Sequence, residues 1–183
     1  IPDQKKFIQY QGEMYPAIAS YTGQSPYTLE YGENGKTASV KSKDGLGKGC
    51  TFILSDGYKW DSFMLSDDGK LLMSVQRTKN DFKILVSDPE TGKTVREFSN
   101  EGIFFDAALS PDGTYVAWCC VHRKTPPAYS LSIEPVDGKN GGWSATLADF
   151  RKLLFSPDSI HLMIDAETQE PGTLSLIDVY RPG

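Results

Sequence analysis

The sequence predicts an all-β fold, a small β-propeller, and three observations predict it. A strand–turn–strand unit recurs, with its turn at Ser66-Asp67-Asp68-Gly69, Ser110-Pro111-Asp112-Gly113 and Ser156-Pro157-Asp158-Ser159. The turn serines stand 44 and 46 residues apart, a spacing typical of propeller blades. Short alternating or apolar runs bounded by Gly, Pro, Asp and Ser fill the rest of the chain. No segment sustains a 3.6-residue apolar period with helix caps.

The clearest blade has strands at 104–109, 115–121, 129–133 and 143–147. Its first turn places Pro111 at the second position of a tight turn and Gly113 at its end. The preceding blade matches, with strands at 60–65, 70–76, 82–86 and 94–98. The first blade is degenerate: runs at 14–21 and 27–31 would be its first two strands, and 37–41 and 51–54 its last two. The final blade, 150–179, is one strand short, with strands at 152–155, 160–164 and 173–179. An open edge invites aggregation. The lone run at 7–11 is therefore expected to supply the missing strand and close the ring. The expectation is one domain over 1–183, with blades at 13–55, 60–98, 104–147 and 150–179 plus 7–11.

Composition narrows the function classes. Apolar residues make up 39% of the 183 residues, which suits a globular chain. The net charge is −5, with acids and bases interleaved, so no phosphate-tracking stripe and no nucleic-acid partner are expected. No apolar run approaches a membrane span, so no membrane insertion is expected. The chain begins at Ile1 without a signal peptide, which suggests that a leader or other segment was removed. Cys50, Cys119 and Cys120 form no C-x-x-C pair, and they read as small buried thiols, although Cys50 could meet either neighbour.

At Leu109–Ala117 and Phe155–Asp158 the chain resembles the WD-like repeats of TolB-type propellers, which carry an SPDG turn between the first two strands of a blade. The resemblance covers about residues 60–183. It implies a protein-binding scaffold, often in the bacterial periplasm, so an exported protein is expected. Trp60-Asp61 opens a strand instead of closing a third one, so the WD signature itself is absent.

No catalytic constellation emerges. Gly-x-Ser-x-Gly and His-Glu-x-x-His are both missing. The turn aspartates Asp67, Asp112 and Asp158 read as acceptors for turn amides instead of calcium ligands. Neither metal nor cofactor is expected. His161 reads as a packing or rim residue. The candidate partner surface is the set of loops joining second to third strands and blade to blade. It carries Tyr58, Trp60, Arg77, Lys79, Glu101, His122 and Arg123, and aromatic and Arg residues are favoured interface anchors. The expected function is non-catalytic protein binding by a monomer or small homo-oligomer. Within that class stands a small exported inhibitor or immunity-type protein that blocks an enzyme. Two alternatives are a glycan-active or glycan-binding propeller using Glu13, Asp61 and Asp106, and a scaffold subunit of a larger assembly.

Overall fold

The structure, a computed structural model, describes residues 7–10, 12–122, 128–139, 141–147, 150–165 and 174–178. It is all-β; the one helical element among the described residues is a 3-10 turn, Glu33–Gly35. Two compact units emerge: Ile1–Thr78 with Lys83–Ser99, and Lys79–Phe82 with Asn100–Gly183.

In the first unit a hairpin joins β1 (Phe7–Tyr10) to β2 (Glu13–Pro16). β3 (Ile18–Ser20) follows. Then β4 (Tyr27–Tyr31), β5 (Thr37–Ser42) and β6 (Cys50–Ile53) form a three-stranded antiparallel sheet. A five-stranded sheet comes next, built from β7 (Lys59–Leu65), β8 (Leu72–Arg77), β9 (Asp81–Ser87) and β10 (Thr94–Glu101). Its fifth member is β3, which pairs parallel to β7 with Ile18 opposite Phe63.

The second unit holds the predicted blade as a four-stranded meander. Its strands are β11 (Ile103–Leu109), β12 (Tyr115–His122), β13 (Ala128–Pro135) and β14 (Trp143–Leu147). A three-stranded sheet of β15 (Lys152–Phe155), β16 (His161–Asp165) and β17 (Leu174–Asp178) ends the chain.

Two sequence expectations need correction. The run at 7–11 is not the outer strand of the last blade: β1 pairs with β2, Phe7 opposite Pro16 and Tyr10 opposite Glu13. Gly12 sits at φ +85° in the turn between them, a conformation glycine adopts without strain. Pairing across so short a loop costs far less closure entropy than reaching the other end of the chain. The sheets are thus not four blades of four strands; among the described residues they carry three, five, four and three strands beside the hairpin. The second correction concerns 14–21, which does not pair with β4. Pro16 breaks the run into β2 and β3, as a proline without an amide donor does in a ladder.

Burial is highest in the second strand of each full blade and lowest in its outer strand. Tyr115–Val121 of β12 are all buried, whereas Trp143, Ser144 and Thr146 of β14 are exposed. The same holds from β8, buried at Leu72–Gln76, to β10, exposed at Thr94, Val95 and Glu97. A continuous apolar strand is covered on both faces; a mixed strand faces water. In the first unit Leu29, Tyr31, Val40, Trp60, Phe63 and Leu65 lie in one core cluster.

The recurring turn has one internal wiring. Ser66, Ser110 and Ser156 each donate Oγ–H to Oδ1 of the aspartate two residues on, at 2.7, 2.7 and 2.5 Å. Each serine Oγ also accepts the amide five residues on, from Leu71, Tyr115 and His161, at 3.1, 2.9 and 2.9 Å. Each aspartate Oδ1 accepts the amide two residues on, from Lys70, Thr114 and Ile160. Between β5 and β6, Ser42 and Asp44 repeat two of these three bonds, with Leu46 as the amide donor to Asp44. Asp112 and Asp158 are therefore structural acceptors, as their sequence context predicts, whereas in the first turn that role falls to Asp68 and not to Asp67.

One position departs from the repeat and is informative. Gly69 and Gly113 have φ of +72°, and the third turn places Ser159 there at φ +60°. Ser159 is 1% exposed, and its Oγ accepts the amide of Asp112 at 3.1 Å, tying the two sheets of the second unit. The hydrogen bond offsets the backbone strain of a left-handed serine. Ser159→Gly is expected to be near neutral, since relief of strain balances the lost bond. Ser159→Ala keeps the strain and orphans the Asp112 amide, costing about 1–3 kcal/mol. Urea midpoints of the two variants check this, and equal midpoints would contradict it.

Candidate functional site

The strand ends opposite these turns are built by a repeated bulge. In β7 the pairing with β8 slips between Trp60 and Ser62; in β11 the pairing with β12 slips between Phe104 and Asp106. The extra residue is Asp61 in one blade and Phe105 in the other. Both stand five residues before a turn serine. A bulge re-aims the side chain at that point.

In the first unit Asp61 accepts Nε–H of Arg77 at 2.7 Å. The carboxylate side chain is 10% exposed and the guanidinium side chain 49%, so a sheltered anion holds an exposed cation in place. Lys83 Nζ sits 5.0 Å from the centre of the Tyr58 ring and donates to Ser55 Oγ at 3.2 Å. Gln76, 3% exposed, accepts the Ser55 amide and donates to the Ile53 carbonyl, which fixes the loop below. Arg77 and Tyr58 are thus held in position by contacts within the first unit. Such preorganisation lowers the entropy cost of binding.

In the second unit Phe105 is 40% exposed. Its ring meets Tyr129 edge-on at 5.1 Å and Phe150 at 6.5 Å. Phe150 is buried and supports the pair from beneath.

The residues singled out in the sequence fall into different settings. Tyr58 is half-buried; Arg77, Lys79, Glu101 and His122 are exposed. His122 Nε2 lies 3.8 Å from Cys120 Sγ. Arg123 lies outside the described residues, as do the loop segments 123–127, 148–149 and 166–173. Trp60 is 8% exposed and donates its indole N–H to the Gly35 carbonyl at 2.8 Å. It packs on Phe63 at 5.1 Å, as a core residue of the first unit. Phe104 and Phe150 occupy the same place in the repeat, six residues before a turn serine, and both are buried. That recurring aromatic is the sequence signal marking Trp60 as core. Phe105, Tyr129 and Lys83 escaped sequence reasoning because the bulge that aims Phe105 has no residue signature of its own.

The carboxylates of the glycan alternative all have partners. Glu13 accepts the Tyr15 hydroxyl at 3.0 Å, Asp61 holds Arg77, and Asp106 Oδ2 accepts the Leu153 amide at 3.0 Å. Among the described residues no His, Cys, Asp and Glu cluster could hold a metal. All three cysteines are free thiols. Burial pushes Cys50 up to about 11 and Cys119 up to about 12, so both stay protonated at neutral pH. Iodoacetamide at pH 7.5 is expected to leave native Cys119 unmodified and to label it after denaturation; mass spectrometry of the labelled protein checks this.

A cavity of about 530 Å³ opens in the first unit beside β4, lined among others by Ile8, Ala17, Ile18, Tyr27, Leu29 and Lys43.

No protein-family model matches this chain, and no curated protein matches its sequence. Solved structures do match its fold. The chain is similar to the β-propeller domain of the trilobed protease from Pyrococcus furiosus: TM-score 0.58 at 13% identity, over 91% of this chain and 55% of that one. It is similar to the Cps50 (Swd1) β-propeller domain from Myceliophteria thermophila: TM-score 0.56 at 17% identity, over 84% of this chain and 48% of that one. It is also similar to hydrazine synthase from Kuenenia stuttgartiensis: TM-score 0.53 at 16% identity, over 89% of this chain and 64% of that one. The fold is that of a β-propeller. The chain spans only 48–64% of the length of these three structures.

Proposed function

We propose that this chain is a non-catalytic protein-binding propeller module, related in its repeats to the TolB type and exported to the periplasm. Its task in this reading is to engage, and in the narrower form to inhibit, a partner protein. The observation that carries the reading is the exposed Arg77 held by sheltered Asp61 beside the Lys83-covered ring of Tyr58. Arg and Tyr fixed in advance at a surface are the residue types that dominate interface energetics. The Phe105–Tyr129 pair supports the same reading in the second unit, since a partly exposed aromatic held edge-on by a neighbour is an anchor with little rotamer freedom to lose.

The experiment is quantitative capture of partners from the periplasmic extract of the source cells. Wild type is compared with a Tyr58→Ala/Arg77→Ala double variant of matched melting temperature. One protein enriched by wild type and at least tenfold less by the variant is the expected result. Equal recovery by both, or no enriched protein, overturns the reading.

A further inference from the structure

The Arg77 side chain has hydrogen-bonding capacity that the fold does not use. A guanidinium carries five N–H donors in a rigid planar fork. Asp61 takes the Nε–H at 2.7 Å, and no other acceptor bonds this side chain among the described residues. The four terminal N–H groups therefore stay open, on a side chain that is 49% exposed. Asp61 fixes the guanidinium and leaves its two terminal nitrogens available to a second acceptor.

A second cation stands beside it. Lys59 is directly opposite Arg77 in the pairing of β7 with β8. Opposed residues of an antiparallel ladder have Cα atoms about 4.5–5.5 Å apart, and their side chains share one face of the sheet. Lys59 is exposed and makes no ion pair among the described residues. Like charges directly opposite each other destabilise a ladder. The bulge at Asp61 sets one carboxylate against these two cations, so the three side chains together carry one positive charge.

Charge and shape together select the occupant. A carboxylate brings one negative charge and two coplanar oxygens that match a guanidinium fork side by side. It neutralises the group of three. A phosphoryl group brings about −1.5 to −2 and overshoots, beside an Asp61 carboxylate that is itself sheltered from water. The chain's net charge of −5 disfavours extended polyanions further.

We infer that Arg77 and Lys59 form a carboxylate-binding site, which receives a single Asp or Glu side chain of a partner protein. The Arg77 fork makes the paired hydrogen bonds, Lys59 supplies the second charge, and Asp61 is the positioning residue. The inference rests on the partner-surface reading above and adds to it the chemistry of the residue received.

The test is selection of a random peptide library, displayed on phage, against the full chain. Enriched peptides sharing an Asp or Glu at one position are expected. Changing that acid to its amide should weaken binding roughly tenfold, and Arg77→Gln should do the same; combining the two should cost little more than either alone. Arg77→Lys keeps the charge without the fork and should still bind several-fold more weakly. Lys59→Gln leaves the Asp61–Arg77 pair intact, so its weaker binding of these peptides cannot come from a freed Asp61 or a folding defect there. Absence of enrichment, peptides without a shared acid, or peptides bound equally by Arg77→Gln and Lys59→Gln overturns the inference. Displacement by inorganic phosphate at lower concentration than by acetate also overturns it and assigns the site to a phosphoryl group. The outcome is distinguishable from that of partner capture: a captured protein with no shared acid among the peptides removes this inference alone, and acid-bearing peptides with no captured protein remove the partner reading alone.

Discussion

Replacing Trp60 with alanine is expected to destabilise the first unit by about 3–5 kcal/mol, the cost of emptying a large aromatic from a packed core. The indole is 8% exposed, lies 5.1 Å from Phe63 and donates to the Gly35 carbonyl. Trp60→Phe keeps most of the packing and loses that bond, so its cost should fall to about 1–3 kcal/mol. Urea unfolding followed by circular dichroism measures both. A surface anchor would behave otherwise, since truncating an exposed residue usually shifts stability by less than about 0.5 kcal/mol. The experiment therefore also separates Trp60 from Arg77 and Tyr58, residues of the same type by sequence reasoning.

Asp106 carries the second large effect. It is 7% exposed in β11, and its Oδ2 accepts the Leu153 amide at the start of β15. With the Ser159–Asp112 bond, it ties the two sheets of the second unit at both ends of their inner strands. Asp106→Ala leaves a buried amide without its acceptor and loses a charge-assisted bond, together about 2–4 kcal/mol. Asp106→Asn retains a side-chain oxygen and should recover about half of that loss. Thermal unfolding that shows alanine and asparagine variants alike would place the contribution of Asp106 elsewhere than in the Leu153 contact.

The turns also set the response to acid. The Ser156 hydroxyl and the Ile160 amide hold Asp158 below its usual range; the Ser42 hydroxyl and the Leu46 amide do so for Asp44. The Glu90 amide does the same for Asp88. At Asp68 partial burial opposes the shift, and the Lys70 amide and Ser66 hydroxyl outweigh it. Carboxylates with lowered folded pKa values add stability above their unfolded values, and that stability disappears as pH falls through the folded ones. Unfolding midpoints should hold from pH 7 to about 5 and decline below about pH 4. Asp67, raised by burial and by the Asp68 charge, works in the opposite sense and blunts the decline. A midpoint that rises on acidification would contradict this assignment.

Much of the fold was legible because its punctuation is chemical. The Ser-x-Asp turns need a hydroxyl and a carboxylate two residues apart, and the sequence shows both at Ser66, Ser110 and Ser156. The blade from β11 to β14 follows directly. The first 31 residues were not legible in the same way. There a proline and a turn glycine, Pro16 and Gly12, decide between pairings that the apolar pattern permits equally. The candidate surface was legible in part: Arg77 and Tyr58 stand out by residue type, but the bulges at Asp61 and Phe105 arise from register, which a single sequence does not display. The cavity beside β4 depends on the parallel pairing of β3 with β7, a register that a single sequence does not display.

In the proposed function each blade divides by end: the Ser-x-Asp turns hold the fold, and the opposite strand ends are where the partner would bind. Hydrogen-exchange mass spectrometry of the protein with and without its captured partner tests this directly. Slowed exchange around Tyr58 and Arg77, with residues 66–70 unchanged, is the predicted footprint. Protection at the turns with the bulged ends unchanged would contradict it.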